Sequence, residues 1–250
     1  MRMPIPSLSV HPSPELATRA AADLLGGWLV QPGVRNVMLA AGNTPLGLYR
    51  QIADRKLPLA HLNLFALDEY VGVPVQEPRN CANLIRRTAV EPWGVPGDQY
   101  FTVSSSEPQA LQSVLEHERR IEAAGGIDVL VLGLGQNGHL GFNEPGSEKD
   151  SGARVLDLDP ISIEANRQWF GGDYAPSRGA TVGMRTILAA RRIVILAYGD
   201  HKAEAARDLL QGPISSKCPA SFLQAHPETS FFIDRQALSK MNPDRLRHPG

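Results

Sequence analysis

Short apolar runs, each closed by glycine, asparagine or aspartate and followed by residues at helical spacing, recur along the chain. Ser13-Pro14-Glu15 supplies a capping hydroxyl, a first-turn proline and an acid ahead of Leu16, Ala17, Ala20, Ala21, Leu24 and Leu25, which predicts a helix to about Trp28. Asn36 to Ala40 reads as a strand that empties into Ala41-Gly42-Asn43-Thr44-Pro45, with a helix carrying Leu46, Leu48, Tyr49 and Ile52 behind it. The same unit repeats: a strand over Leu62 to Leu67 ends at Asp68-Glu69-Tyr70, and a helix over Asn80 to Val90 follows. Glu107 to Ala123 predicts a helix feeding a strand over Ile127 to Leu132. A strand over Arg192 to Tyr198, helices over Lys202 to Leu210 and Pro219 to Ala225, and a strand over Ser230 to Ile233 close the pattern. Strands alternating with helices predict a single-domain α/β fold, a mainly parallel, doubly wound sheet in a Rossmann-like three-layer sandwich. Residues 147–183, with Gly171-Gly172 and Pro176, are less regular and read as a lid; the polar stretch 241–250, with two prolines, reads as a frayed tail.

Composition narrows the partners. With 250 residues and 42% hydrophobic content the chain can bury one large core. Its 25 basic and 26 acidic residues nearly cancel and form no basic run, which argues against nucleic acid or a membrane surface and for a small molecule. Cys81 and Cys218 have no CxxC spacing, so neither a zinc site nor a disulfide framework is expected, and a reducing cytoplasm fits. The first 14 residues hold four prolines and no basic segment before an apolar core, and no run of eighteen apolar residues occurs, so export and membrane insertion are not expected.

Three strand ends carry candidate chemistry. The densest is Gly-Leu-Gly-Gln-Asn-Gly-His-Leu-Gly-Phe-Asn-Glu-Pro-Gly at 133–146, where His139 offers a proton-transfer group, Glu144 a carboxylate to hold the imidazole, and Asn137 and Asn143 neutral polar contacts. The Gly42-Asn43-Thr44 loop presents backbone N–H groups, a hydroxyl and the positive end of a helix to an anion. Asp68 leaves an apolar strand, where desolvation raises a carboxyl pKa towards that of a proton shuttle. Lys202 should reach the same sheet edge at the start of a helix, and Arg154, Arg167, Arg178 and Arg185 are further cations in or near the lid. Each feature alone also fits a plain structural role: a strand-to-helix turn for Gly42, a turn cap for Asp68, a loop histidine for His139, a solvated face for the arginines. Glu69 reads as structural. Convergence on the ligand-binding edge of a parallel sheet favours a site.

The chain resembles the glucosamine-6-phosphate deaminase family, also called glucosamine-6-phosphate isomerases and related to 6-phosphogluconolactonase. The resemblance is carried by Ala-Ala-Gly-Asn-Thr-Pro at 40–45, Leu-Asp-Glu-Tyr-Val-Gly at 67–72, Asn-Gly-His-Leu-Gly-Phe-Asn-Glu-Pro-Gly at 137–146, Thr-Val-Gly-Met at 181–184 and His-Lys-Ala at 201–203. It implies conversion of glucosamine 6-phosphate and water to fructose 6-phosphate and ammonia, with no metal or organic cofactor. By the same resemblance His139 opens the sugar ring with Glu144 orienting it, Asp68 moves the proton between C2 and C1, and Gly42, Asn43, Thr44 and Lys202 hold the phosphate. Three positions depart from the family pattern. Asn137 stands where many members carry Asp, which leaves His139 more readily neutral. Gln168 stands where the family places a substrate-binding arginine, so either Arg167 takes over through a small lid adjustment or the contact is altered. Leu156 replaces a base used by hexameric, allosterically regulated members although Arg154 matches, which points to a monomer or small homo-oligomer without that activation. A deaminase for another amino sugar phosphate such as the galactosamine epimer, a lactonase-like hydrolase, and a non-catalytic sugar-phosphate sensor stand as alternatives.

Overall fold

A computed structural model describes residues 7–242. Seven strands form one sheet in which every pair is parallel: β1 (Ser7–His11), β2 (Asn36–Leu39), β3 (Asn63–Ala66), β5 (Tyr100–Phe101), β6 (Val129–Gly133), β9 (Arg192–Ala197) and β10 (Thr229–Asp234). Their order across the sheet is β1-β10-β9-β6-β2-β3-β5. The chain builds outward from β2 through β3 to β5, then returns to the other side of β2 with β6 and continues to β9 and β10. The order therefore reverses between β2 and β6, and a crevice opens there beyond the carboxyl ends of the strands.

The central strands are apolar on both faces because helices cover both. Val37, Leu39, Val129, Val131, Val194 and Leu196 pack in the core shared with α1 (Pro14–Leu29) and α2 (Asn43–Asp54). Met38, Leu130, Leu132, Ile193 and Ile195 pack in the opposite core, with residues of α6 (Met184–Leu188) and α7 (Ala203–Gln211). Helix α1 begins as its sequence predicts, with the Ser13 side chain accepting from the Leu16 amide and Pro14 in the first turn. Asn80 caps α3 (Cys81–Ile85) in the same way, and a π turn over Arg86–Val90 completes the helix expected there.

Several features differ from the sequence reading. The edge strand β1 extends the sheet beyond the last strand expected, pairing with β10 from Ser7 to His11. The stretch Asp68–Tyr70 is not only a strand end: it forms β4, which pairs antiparallel with β8 (Arg178–Thr181), itself paired with β7 (Arg154–Asp157). The segment 147–183 therefore has more regular structure than its composition suggests, holding β7, β8 and between them α5 (Pro160–Trp169). Asp159 caps α5 by accepting from the Ile161 amide, and Pro160 fills the first turn. Met241 is buried against the core, and the rest of the tail expected over 241–250 lies, from 243, outside the described residues. Among the described residues no helix is long and apolar enough to cross a membrane.

Candidate active site

A cavity of about 440 Å³ lies at the switch point, lined by the loops that leave β2, β3 and β6, by one face of α5 and by the turn before α7. Gly42, Asn43, Thr44, Asp68, His139 and Lys202 all line it, so the strand ends singled out in the sequence do converge. Asn137 and Glu144 stand behind His139 in its hydrogen-bond network.

The first wall is the start of α2. Gly42 takes φ of 91° and no side chain caps the helix, so its first amide groups keep no intrahelical partner and the positive end of the dipole is open to an anion. Lys202 faces the same cavity. Burial alone lowers its pKa to about 8, and it has no carboxylate within ion-pair distance among the described residues. A half-buried ammonium without an acidic partner suits an anionic ligand.

Asp68 is held at the junction of the two sheets. The Leu67 amide donates to Leu39 O in the parallel sheet, the Val182 amide donates to Leu67 O, and Asp68 pairs with Thr181 in the antiparallel one. Burial pushes the Asp68 carboxyl up to about 7; the charge of Glu69 adds to the rise and the Cys81 thiol works the other way. Glu69 points away from this chemistry. Its carboxylate accepts the amides of Tyr70, Cys81 and Ala82, which fixes β4 against α3.

The loop from β6 supplies the imidazole. His139 lies so close to Gly135 that a Cβ there would sit 2.3 Å from the ring, which is why the loop needs glycine at that position. Gly141, at φ of 59°, brings the loop against Asp68: a Cβ there would lie 3.1 Å from Oδ2. Glu144 Oε2 is 3.3 Å from His139 Nδ1 and accepts a 2.8 Å hydrogen bond from Asn137 Nδ2. Asn137 Oδ1 in turn accepts the His139 amide at 3.2 Å. Burial opposes the Glu144 charge, yet the hydrogen bond and charge of His139, with Ser162 and Asn137, outweigh it and hold the carboxyl below its usual range. Glu144 is thus an ionised acceptor beside Nδ1, which favours a hydrogen on that nitrogen. The neutral Asn137 suits this role, because its amide fixes the carboxylate and its carbonyl fixes the loop. Asn143 donates to Leu140 O and Val182 O and pins the loop to the chain after β8.

A model of the family described as glucosamine-6-phosphate isomerases/6-phosphogluconolactonase matches residues 13–231. The chain belongs to this family. Among its relatives is a glucosamine-6-phosphate deaminase from Bifidobacterium longum subsp. infantis, 41% identical over 84% of this chain and 81% of that protein. One from Corynebacterium kroppenstedtii is 35% identical over 92% of this chain and 90% of that protein. The solved structure of a monomeric glucosamine-6-phosphate deaminase superposes with a TM-score of 0.89 at 30% identity, covering 93% of this chain and 99% of the other. A 6-phosphogluconolactonase from Trypanosoma brucei shares the fold at a TM-score of 0.78 and 20% identity, over 96% of this chain and all of that one.

The structure does not bring Arg167 to the cavity of this family member. Its side chain is 60% exposed and lies 3.6 Å from Glu164 on the outer face of α5, while Gln168, one residue on, lines the cavity. A helical step of about 100° separates neighbouring side chains, more than a small adjustment can absorb. The other cations are also engaged elsewhere: Arg154 with Ser147 Oγ and Gly152 O, Arg178 with Glu107 and Asp157, Arg185 with Glu118. Sequence reasoning missed Ile161, Ser162, Ala165, Asn166 and Trp169, the inner face of α5. The cap Asp159-Pro160 was the available signal for that helix. Tyr70 and His201 were also missed, although each adjoins a residue that was singled out. No three His, Cys, Asp or Glu side chains among the described residues are grouped to hold a metal ion.

Proposed function

We propose that the protein deaminates glucosamine 6-phosphate with water to give fructose 6-phosphate and ammonia. The observation that carries this reading is a single cavity joining a buried carboxylate poised near neutrality, an imidazole held by an ionised glutamate, and a half-buried lysine without an acidic partner. The open amides of α2, with Gly42, Asn43, Thr44 and Lys202, hold the phosphate and so fix the sugar relative to the other groups. His139 accepts the anomeric hydroxyl proton at Nε2 and returns it to the ring oxygen, which opens the ring; Glu144 and Asn137 keep the imidazole in the tautomer this needs. Asp68 then takes the C2 proton while the substrate ammonium gives one to the aldehyde oxygen, leaving an enolamine, and Asp68 delivers its proton to C1. The resulting C2 iminium adds water and releases ammonia. One carboxylate serves both carbons because they are neighbours in a sugar held at its far end.

The segment 147–183 acts as the lid, contributing the inner face of α5 to the cavity. The protein works as a monomer or small homo-oligomer in the cytoplasm, a setting that suits two buried free cysteines.

A lactonase-like hydrolase shares the fold and needs the same phosphate anchor, but relatives named as deaminases at 34% to 41% identity favour amino sugar chemistry. The test is a substrate panel: glucosamine 6-phosphate, galactosamine 6-phosphate and 6-phosphogluconolactone, with ammonia, fructose 6-phosphate and acid release followed together. Equal amounts of ammonia and fructose 6-phosphate from the first are expected. Lactone hydrolysis without ammonia release overturns the proposal, and a preference for the galactosamine epimer moves it to that sugar.

A further inference from the structure

The His139–Glu144 pair has a third partner that comes from a different part of the chain. Ser162, in the first turn of α5, places its Oγ 3.3 Å from His139 Nδ1, the same nitrogen that lies 3.3 Å from Glu144 Oε2. Ser162 is buried, and the second oxygen of Glu144, Oε1, is buried with no hydrogen-bond partner among the described residues. The three groups meet at Nδ1. With the ionised Glu144 carboxylate beside Nδ1 the ring hydrogen is favoured on that nitrogen, and the serine oxygen lies against it.

Two features make this contact more than helix packing. Apart from Ser162, the partners that hold the imidazole, Asn137 and Glu144, belong to the loop that carries it, so the serine is the fixed point supplied from outside. The segment bearing Ser162 is also tied to a strand outside that loop: Asn166, one turn on, accepts from the Tyr70 hydroxyl at 3.0 Å and donates to Pro176 O. Tyr70 belongs to β4, immediately after Asp68 and Glu69. The seat of α5 is thereby referenced to the same strand that holds Asp68.

We propose that Ser162 is a positioning residue that fixes the His139 ring and its Nδ1–H tautomer, so that a correctly seated α5 sets the imidazole in register with Asp68. It acts through His139 and Glu144 and need not touch the sugar. The alternative, a serine that merely fills space under the helix, makes different predictions because alanine fills the helix equally well.

The experiment compares Ser162→Ala and Ser162→Thr with the parent protein. This inference rests on the deaminase reading only for its rate arm; nitrogen-15 spectra of the histidine side chains in the free protein report on the Ser162 contact whatever the substrate is. In Ser162→Ala the His139 nitrogen signals should move towards a mixture of tautomers. The kcat on glucosamine 6-phosphate should fall on the order of tenfold to a hundredfold, as expected for a misaligned catalytic group. KM, the Kd for the acyclic ligand glucitol 6-phosphate, and Tm should stay near the parent values. Ser162→Thr, which keeps the hydroxyl, should restore the His139 signals and most of kcat. Unchanged His139 signals in Ser162→Ala overturn the proposal even if activity is lost, and so does an unchanged kcat. A fall in kcat matched by loss of glucitol 6-phosphate binding and of Tm assigns Ser162 a structural role instead. A parent protein inactive on glucosamine 6-phosphate, with His139 signals still sensitive to Ser162, would count against the deaminase reading alone.

Discussion

Asp68 shows how one residue trades stability for chemistry. Its folded pKa is raised to about 7, above that of an unfolded aspartate, so the folded protein binds this proton more tightly. The stability it lends is present below the unfolded value, near pH 4, and is lost as pH rises through about 7. Asp68→Asn should therefore raise Tm at pH 8 relative to the parent and change it little at pH 4. A thermal melt at both values checks this, and a lower Tm at pH 8 would mean that the ionised carboxylate stabilises the fold. Arg167 and Gln168 make a second residue-scale case. The sequence places a cation at 167 beside an expected substrate contact at 168, and the helix decides between them by which face each occupies. Arg167→Ala should leave KM for glucosamine 6-phosphate within twofold of the parent, on the order of the effect of a surface charge, whereas Gln168→Ala should raise it. The reverse pattern would put Arg167 in contact with substrate.

At the scale of elements, the parts that could be read from sequence are those whose side chains follow one rule. The strands β2, β3, β6 and β9 are continuous apolar runs because both faces are covered, and Ser13-Pro14 marks a helix start by its own chemistry. The parts that were not legible obey more than one rule at once. In β4, Asp68 and Glu69 are buried acids, stabilised or tolerated by contacts with α3 and β8 that no local pattern contains. Strand β1 is a short, half-exposed edge, and β5 has two residues. The site follows the same division. Gly42, Asp68, His139 and Lys202 stand at strand ends and helix starts that the pattern locates, but the inner face of α5 reaches the cavity only through tertiary folding. Glu118, on α4 (Glu107–Ala123), ties that region down by accepting the Ala153 and Gly183 amides and the Thr186 hydroxyl. Glu118→Ala leaves two buried amides without an acceptor, a cost of about 1–3 kcal/mol for each. Hydrogen exchange at Ala153 and Gly183 should accelerate accordingly while β2 and β6 stay protected; uniform acceleration would show that Glu118 holds the whole domain together.

The whole molecule places groups from distant parts of the chain at one switch point, and its pH behaviour should report them together. In the proposed reaction Asp68 must be ionised to take a proton from carbon, so activity should rise as pH passes about 7. Lys202 must stay charged to hold the phosphate, so affinity should fall as pH passes about 8. The profile of kcat/KM should therefore be a narrow bell between these limbs. Lys202→Arg, which stays charged, should remove the alkaline limb; an unchanged limb would assign it to another group. The central claim is that Asp68 moves the substrate proton on a sugar held by its phosphate. The direct measurement is ammonia and fructose 6-phosphate release from glucosamine 6-phosphate by Asp68→Asn beside the parent, with glucitol 6-phosphate binding measured on the same samples. The account predicts a loss of kcat on the order of 100-fold to 10,000-fold with binding retained. Turnover by Asp68→Asn within a few fold of the parent would contradict it.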